Sequence, residues 1–328
     1  MKRNFTSITL CAILLTLSVS AHAQQTGKVF RIGFLDSSTA SGMAPLIDAF
    51  RQEMRKLGWI EGKNLTIEYR FAEQKNERLP ELATELVRRP VDLIVVTGGA
   101  AALAAKSATT AIPIVTTSAT DPVGTGLVAS LARPGGNVTG FTALSMGVNT
   151  KRLEILKDAV PKLITVGLLR GSGSGPIALQ LKELRNGASA LKLTLEEIET
   201  QLDPKSLESA FQTAKQKRVG AMLTTAGRNF FAERKRIVEH AGKYRLPAIY
   251  PSKEYVEVGG LMYYGVDEAD RSRTAAGYVD RILKGAKPAD LPVQQPMKFE
   301  FIISLKAAKQ IGLKMPLNVL ERANQVIR

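Results

Sequence analysis

The sequence predicts an α/β protein built from two doubly wound parallel-sheet lobes that a hinge joins. Short apolar strands alternate with amphipathic helices along most of the 328 residues, which is typical of a parallel sheet covered by helices on both faces. This alternation starts a second time near residue 150, and in both rounds the strands end in small polar residues. Because open α/β sheets bind ligands at the carboxyl ends of their strands, two such rounds predict two lobes facing each other across a cleft.

Residues 1–23 are typical of a cleaved secretory signal peptide. Lys2 and Arg3 precede an apolar segment, 8–19, which is too short to span a membrane, and Ala21-His22-Ala23 forms a small-residue cleavage site. Cleavage would lower the net charge of +15 by two and remove the single cysteine, Cys11. The exported chain would therefore have neither a disulfide nor a thiol.

The first round predicts a lobe of five strands and three helices. The strands are predicted at 30–35, 65–71, 93–96, 112–115 and 138–142. The first helix is predicted at 44–57, the second begins with a cap at Asn76 and ends at Pro90, and the third is predicted at 100–107.

Residues 112–142 are expected to form the floor of the cleft. An apolar strand is followed by hydroxyl residues and then by Asp121-Pro122, which predicts a tight turn. Asp121 either accepts hydrogen bonds from a ligand ammonium or caps the next helix. Gly124, Gly126 and Ala129 match part of a dinucleotide fingerprint, but they do not follow the first strand, so we interpret them as a close-packed short helix.

The second round and the C-terminal part predict a second lobe and shared elements. Strands are predicted at 165–169, 193–198, 221–225, 248–250, 261–266 and 299–303, and helices at 150–160, 176–190, 205–218, 231–245, 270–283, 305–311 and 317–326. We assign 24–143 and about 264–292 to lobe one, and 144–263 and about 293–328 to lobe two, so the chain crosses the hinge about three times.

Three blocks of sequence carry a resemblance to a known family. They are TDPVGTGLVASLARPGGNVTGFT (120–142), RLPAIYPSKEYVEVGGLMYYG (245–265) and AAGYVDRILKGAKPADLPVQQPMKFEFIISLKAAKQIGL (275–313). With them the chain resembles the type I periplasmic binding proteins, and more narrowly the ABC transporter substrate-binding family that includes tryptophan- and tyrosine-linked binding proteins. The resemblance covers nearly the whole exported chain and implies a bilobed protein that closes on a small molecule.

The resemblance also implies that the strand ends lining the cleft contact the ligand. In lobe one these residues are Ser37, Ser38, Thr97, Gly98, Gly99, Ser118, Thr120, Asp121 and Thr142. In lobe two they are Ser172, Arg228, Asn229, Tyr250 and Ser252, with Tyr264 and Asp267 near a crossing.

Two of these predictions leave alternatives open. Tyr263 and Tyr264 are consecutive on a strand and point to opposite faces, so one of them is expected in the core. Arg228 stands where relatives are expected to have an apolar and acidic segment. If it points into the cleft it would favour a carboxylate, so the ligand class cannot be inherited from the family.

Several classes of function are disfavoured by the composition. The basic residues are spread over helices and few aromatic residues lie among them, which argues against nucleic-acid binding. After cleavage His240 is the only histidine, so neither a Ser-His-Asp triad nor a His/Cys metal site is expected. The neighbouring acids Asp267 and Glu268 are interpreted as solvent-facing.

We therefore expect a monomeric, non-enzymatic periplasmic protein without a cofactor. It would capture an amino acid or a small aromatic or polar metabolite and deliver it to an ABC permease in the inner membrane. A ligand-sensing module for a signalling receptor is the alternative, and an exported enzyme is a weaker one.

Overall fold

A computed structural model describes residues 28–142, 147–171, 178–295 and 299–328. The predicted signal peptide and Ser172 lie outside these residues. The described chain is built around two sheets, and we define lobe one and lobe two as the elements packed on the first and the second sheet.

Lobe one contains a five-stranded parallel sheet in the order β2-β1-β3-β4-β5. Its strands are β1 (Phe30–Asp36), β2 (Leu65–Phe71), β3 (Leu93–Thr97), β4 (Ile114–Ala119) and β5 (Val138–Thr142). β3, LIVVT, is buried along its whole length, as a strand covered on both faces must be. Gly140 in β5 is required, because a Cβ there would overlap the backbone of Thr116 in β4.

Helices cover both faces of this sheet. They are α1 (Ala40–Lys56), α2 (Leu79–Arg88) and α3 (Gly99–Ala108). Met43, Leu46 and Phe50 of α1 pack on one face, and Leu82 and Leu86 of α2 pack on the other. The doubly wound arrangement is confirmed. The short helix predicted after Asp121 is wrong, since 121–137 forms turns and bends.

Lobe two contains a seven-stranded sheet in the order β12-β11-β10-β9-β8-β6-β7. Its strands are β6 (Thr165–Gly171), β7 (Thr194–Thr200), β8 (Ala221–Thr224), β9 (Ala248–Tyr250), β10 (Met262–Gly265), β11 (Glu300–Ser304) and β12 (Gln325–Ile327). All described pairs are parallel except β10 with β11. The C-terminal helix predicted to reach 326 is wrong, because it ends at Leu320 and the chain then forms β12.

The helices of the second half lie on both faces of this sheet, except for one that returns to lobe one. They are α4 (Val148–Ala159), α5 (Ala178–Ala190), α6 (Pro204–Gln216), α7 (Arg228–Ala232), α8 (Arg234–Lys243), α9 (Glu254–Glu257), α10 (Glu268–Leu283), α11 (Leu305–Ile311) and α12 (Leu317–Leu320). α10 packs against α1 through Ala275 and Val279. Among the described residues, none of the helices combines the length and the hydropathy that a membrane span requires.

Consecutive described segments belong to different lobes at three places along the sequence. These are between Thr142 and Gly147, between Gly265 and Glu268, and between Gln294 and Glu300. Gly265 still pairs within the second sheet, and Gln294 bridges to Phe141 of the first. Lobe one therefore has a second segment that runs from α10 to Gln294.

Candidate ligand-binding cleft

A cavity of about 350 Å³ lies between the lobes, within the size range of small-molecule sites. Lobe one lines it with residues at or after the carboxyl ends of β1, β3 and β4, and lobe two with residues at or after those of β6, β8 and β9. The remaining walls come from α4, from the start of α10 and from the crossing before β11. The cavity thus lies where the carboxyl ends of both parallel sheets meet, as the topology requires.

The lobe-one wall is organised by the carboxyl group of Asp36 at the end of β1. Asp36 is fully buried and accepts hydrogen bonds from the backbone N–H of Ser38, at 2.6 Å, and from the hydroxyl of Thr97. Burial raises the pKa of Asp36, while the Thr97 hydrogen bond and the charge of Arg228 oppose that shift. The carboxyl group therefore fixes the ends of β1 and β3, and it does not itself line the cavity.

Two arginines share one acid at the side of the cavity. Arg228, the first residue of α7, donates from Nη2 to Ser118 Oγ and to Glu268 Oε2, each at 2.8 Å. Arg271, one turn into α10, also forms an ion pair with Glu268 and donates to the carbonyl oxygen of Thr142 at 3.3 Å. Arg228 therefore links lobe two to both segments of lobe one.

A third arginine, Arg152 of α4, is held by neutral groups. Its Nε donates to the carbonyl oxygen of Tyr264 at 2.8 Å, and Nη1 donates to Asn149 Oδ1 at 2.9 Å. Burial lowers the pKa of Arg152 to about 10 and that of Arg271 to about 9. Both guanidiniums stay charged at neutral pH.

Aromatic side chains provide the apolar part of the lining. They are Phe230, Phe231, Tyr255 and Phe299. The Tyr255 hydroxyl donates to the carbonyl oxygen of Phe230 at 2.7 Å, and its ring stacks on Tyr250 at 4.7 Å. Phe231 also packs in the lobe-one core although it belongs to α7. Rings of this kind provide a face for a planar or apolar ligand.

The lobes contact each other beyond the cavity. Gln74 donates to Glu233 Oε1 at 2.9 Å, and Arg234 donates to the carbonyl oxygen of Gly42 at 2.9 Å. A Cβ at Gly42 would lie 2.3 Å from the Cβ of Ala232. The lobes are therefore closed on each other in this structure.

The structure brings nine of the predicted site residues to the cavity wall. They are Ser37, Thr97, Gly98, Gly99, Ser118, Thr120, Arg228, Asn229 and Ser252. Their contact with a ligand stays a prediction.

Four predicted residues with polar side chains have structural roles away from the lining. Asp121, at φ 43°, accepts from the N–H of Gly124 at 2.9 Å, in keeping with capping of a turn. Asp267 caps α10 and pairs with Lys253. Ser38 is fully buried, and Thr142 is buried in β5.

The two predicted tyrosines lie outside the lining for a different reason. Tyr250 is a core residue, 1% exposed and packed on Tyr255. The ring of Tyr264 packs against Phe299 and the hydrophobic core of lobe two. Its carbonyl oxygen accepts a hydrogen bond from Arg152. Tyr263 is also buried, so neither of the consecutive tyrosines faces the cavity.

Sequence reasoning missed the charged and aromatic lining that helices contribute. The main residues are Asn149, Arg152, Tyr255, Glu268 and Arg271. The interpretation of Glu268 as solvent-facing is wrong, because it is largely buried between two arginines. Glu268 lies at the N-terminus of a helix, directly after a predicted crossing between the lobes. This position was the sequence signal that could have assigned it to the cleft.

Metal binding requires several donor side chains that lie close together. Among the described residues, no cluster of three or more His, Cys, Asp or Glu side chains could hold a metal ion. The described lining contains neither histidine nor cysteine, since His240 lies on α8 and stacks on Phe211.

Comparison with known proteins gives consistent matches over most of the chain. A family model described as ABC transporter substrate binding protein matches residues 39–327. A tyrosine-binding protein of Clostridioides difficile (strain R20291) is 26% identical over 265 residues, which are 81% of this chain and 76% of that protein.

Two solved structures share the arrangement of both lobes. The structure of a conserved domain protein from Vibrio cholerae has a TM-score of 0.82 and 27% identity, covering 91% of this chain and all of the other. That of an ABC domain in complex with L-Trp from Streptococcus pneumonia has a TM-score of 0.80 and 26% identity, covering 91% and 99%.

Proposed function

Because the chain belongs to the family of ABC transporter substrate-binding proteins, we propose that it captures a small molecule between its lobes and delivers it to an ABC permease. The observation that carries the proposal is the cavity between the lobes, lined from both sides by the carboxyl ends of parallel strands. The predicted signal peptide supports a periplasmic location, with the permease in the inner membrane.

The ligand class we propose is an amino acid or a small aromatic or polar metabolite. The aromatic side chains of the lining suit a ring or an apolar group, and the hydroxyls and charged groups suit polar substituents. The relatives agree in part: one is a tyrosine-binding protein, and one structure contains L-Trp.

The mechanism we propose is closure of the lobes on the ligand. A ligand that enters an open cleft contacts both walls only when the lobes close, so its binding energy favours the closed state. Contacts such as Gln74 with Glu233 and Arg234 with Gly42 would form at the same time. The closed surface would then be the one that the permease recognises.

We propose that the protein acts as a monomer, without a cofactor and without catalysing a reaction. The two walls of the cleft come from one chain, so a partner copy is not needed to complete it. The lining described here lacks a nucleophile paired with a histidine base, which supports binding rather than turnover.

Thermal unfolding with a panel of amino acids, aromatic acids, purines and sugars tests the proposal. A ligand at about 100 times its dissociation constant adds about 2.7 kcal/mol to the free energy of unfolding, which raises Tm by several degrees. We expect the rise to be confined to one chemical class. If no compound raises Tm, even after unfolding and refolding has removed carried-over ligand, the capture of a small molecule is contradicted.

A further inference from the structure

The charged groups that line the cavity are mostly cationic. Among the described lining residues Arg152, Arg228 and Arg271 are basic, and Glu268 is the only acid. All three guanidiniums are largely buried. Water screens such charges poorly, so their field acts strongly on whatever occupies the cavity.

The single acid does not neutralise this set. Glu268 is shared by Arg228 and Arg271, so one carboxylate faces two guanidiniums. The described hydrogen bonds of Arg152 go to an amide and to backbone carbonyl oxygens, which are neutral acceptors. Nε of Arg271 is buried and has no hydrogen-bond partner among the described residues.

Four further acids lie near the arginines but outside the described lining: Asp36, Glu183, Glu254 and Asp267. Two of them are held by other groups, since Glu183 accepts hydrogen bonds from Asn149 and Asp267 forms an ion pair with Lys253. Asp36 is fully buried, and its oxygens accept from Thr97 and from the backbone of Ser38. Glu254 is 3% exposed and lies on α9 behind Ser252 and Tyr255. Burial raises the pKa of the Asp36 and Glu254 carboxyl groups.

We infer that this site selects a carboxylate and does not require an ammonium group, so that its preferred ligand is an aromatic or apolar carboxylic acid. The inference rests on the proposed function, since it names the ligand class of the same cleft. The carboxylate would take the place of Glu268 or Ser118 as an acceptor for Arg228, because guanidiniums bind carboxylates through paired hydrogen bonds. The apolar part would lie against the rings of Phe230, Tyr255 and Phe299.

An ammonium group would meet a less favourable environment. It would enter a cavity whose lining has an excess of like charge, and the one lining acid is already bound by two arginines. The inferred class therefore differs from the zwitterionic amino acids tyrosine and tryptophan that are named for the relatives.

Matched sets of probes test the inference by isothermal titration calorimetry. One set is indole-3-acetate, tryptamine and tryptophan, and the other is 3-phenylpropionate, phenethylamine and phenylalanine, all at neutral pH and one salt concentration. Within at least one set we expect the acid to bind at least about tenfold more tightly than the amine and no more weakly than the amino acid.

The outcomes separate the inference from the proposed function. Preferential binding of the amino acid or of the amine overturns the inference and leaves capture of a small molecule intact. Absence of binding by all six probes overturns the inference. If the wider thermal panel also raises no Tm, capture itself is contradicted as well.

Two variants of opposite charge effect give a second test. Arg228→Gln removes a positive charge from the lining and should lower the affinity ratio of acid to amino acid. Glu268→Gln removes the negative charge and should raise this ratio. Arg88→Gln is the matched control for Arg228→Gln. It also removes one positive charge, but from the exposed surface of α2, so it should leave the affinity ratio unchanged.

This ratio distinguishes recognition from structural damage. A variant that only loosens the cleft weakens both ligands alike and leaves the ratio at its wild-type value. If Arg228→Gln abolishes measurable binding, Glu268→Gln still decides the question, because its expected change is an increase. A ratio that both variants leave unchanged, or that both move in one direction, overturns the inference.

Discussion

Replacing Gly42 by alanine tests whether the lobes close against each other as the structure has them. Gly42 lies at the third position of α1 in lobe one, and Ala232 lies at the end of α7 in lobe two. A Cβ added at Gly42 would be 2.3 Å from the Cβ and 2.7 Å from the Cα of Ala232. Carbon atoms in good contact are about 3.5–4.0 Å apart, so the variant can close only if the interface moves apart by more than an ångström.

The size of the effect follows from the cost of overpacking. An extra methyl group in a packed interface costs about 1–3 kcal/mol, and this cost falls on the closed state alone. The affinity for a ligand that needs closure should therefore fall by about 5- to 150-fold. The substitution should not destabilise the open state, because alanine is a better helix former than glycine by about 0.5–1 kcal/mol.

Within lobe one the Cβ added at Gly42 would lie 2.9 Å from Oγ1 of Thr39, a milder overlap than those with Ala232. Thr39 caps α1 and accepts a hydrogen bond from the N–H of Gly42 at 3.1 Å. Residues with full side chains occupy this third position in ordinary capping boxes. The more severe clash is therefore the one between the lobes, and the Tm without ligand reports any cost of the contact with Thr39.

The assay combines calorimetric titration of a ligand that raises the wild-type Tm with small-angle scattering in its presence. We expect Gly42→Ala to bind more weakly and to keep a larger radius of gyration with ligand, while its Tm without ligand does not fall. Gly277→Ala in α10 is the matched control, because a Cβ there meets no atom within 4 Å. It should bind and compact like the wild type.

Two results would refute the reasoning. One is a Gly42→Ala variant that binds and closes as the wild type does, and the other is an equal loss in the Gly277→Ala control. Adding Ala232→Gly to the first variant should restore part of the affinity. The recovery is only partial because the contact with the Cα of residue 232 remains.

Asp121→Ala should lower the free energy of unfolding by about 2 kcal/mol, since it removes the hydrogen bond from Gly124 and puts alanine at a positive φ. Urea denaturation measures this loss, and weaker ligand binding at unchanged stability would instead favour a ligand contact. Glu254→Gln should raise stability at pH 7 and have little effect near pH 4. Burial raises the Glu254 pKa above its ordinary value of 4.5, so the wild type loses stability as pH rises from that value toward the raised one. Denaturation at both pH values checks this, with Glu257→Gln on the exposed side of α9 as control, and an equal effect at both values would contradict it.

Much of the architecture could be predicted because it depends on local patterns. Fully apolar segments such as β3 must be buried on both faces, and their regular alternation with amphipathic helices defines a parallel sheet. The order of strands in a parallel sheet also brings their carboxyl ends to one edge. Hydroxyl residues at these ends, including Ser37, Thr97 and Ser118, could therefore be assigned to one cleft.

The charged lining could not be predicted, because it depends on how helices are rotated in the folded protein. Arg271 and Arg273 are two residues apart in the polar start of α10, and nothing local distinguishes them. In the structure the side chain of Arg271 is 8% exposed and pairs with Glu268, whereas that of Arg273 is 37% exposed. The core position of Tyr250 could not be predicted for a related reason, since a three-residue strand shows too little alternation to tell core from cleft.

The five residues of α7 connect ligand recognition to closure. Its first residue, Arg228, contacts Ser118 and Glu268 at the cavity, while its last, Ala232, meets Gly42 at the lobe interface. Between them Phe231 lines the cavity and packs in the lobe-one core. A ligand that binds Arg228 therefore favours the position of α7 in which these interface contacts form. Weakening either end should reduce affinity, but only a change at Arg228 should alter which ligand is preferred.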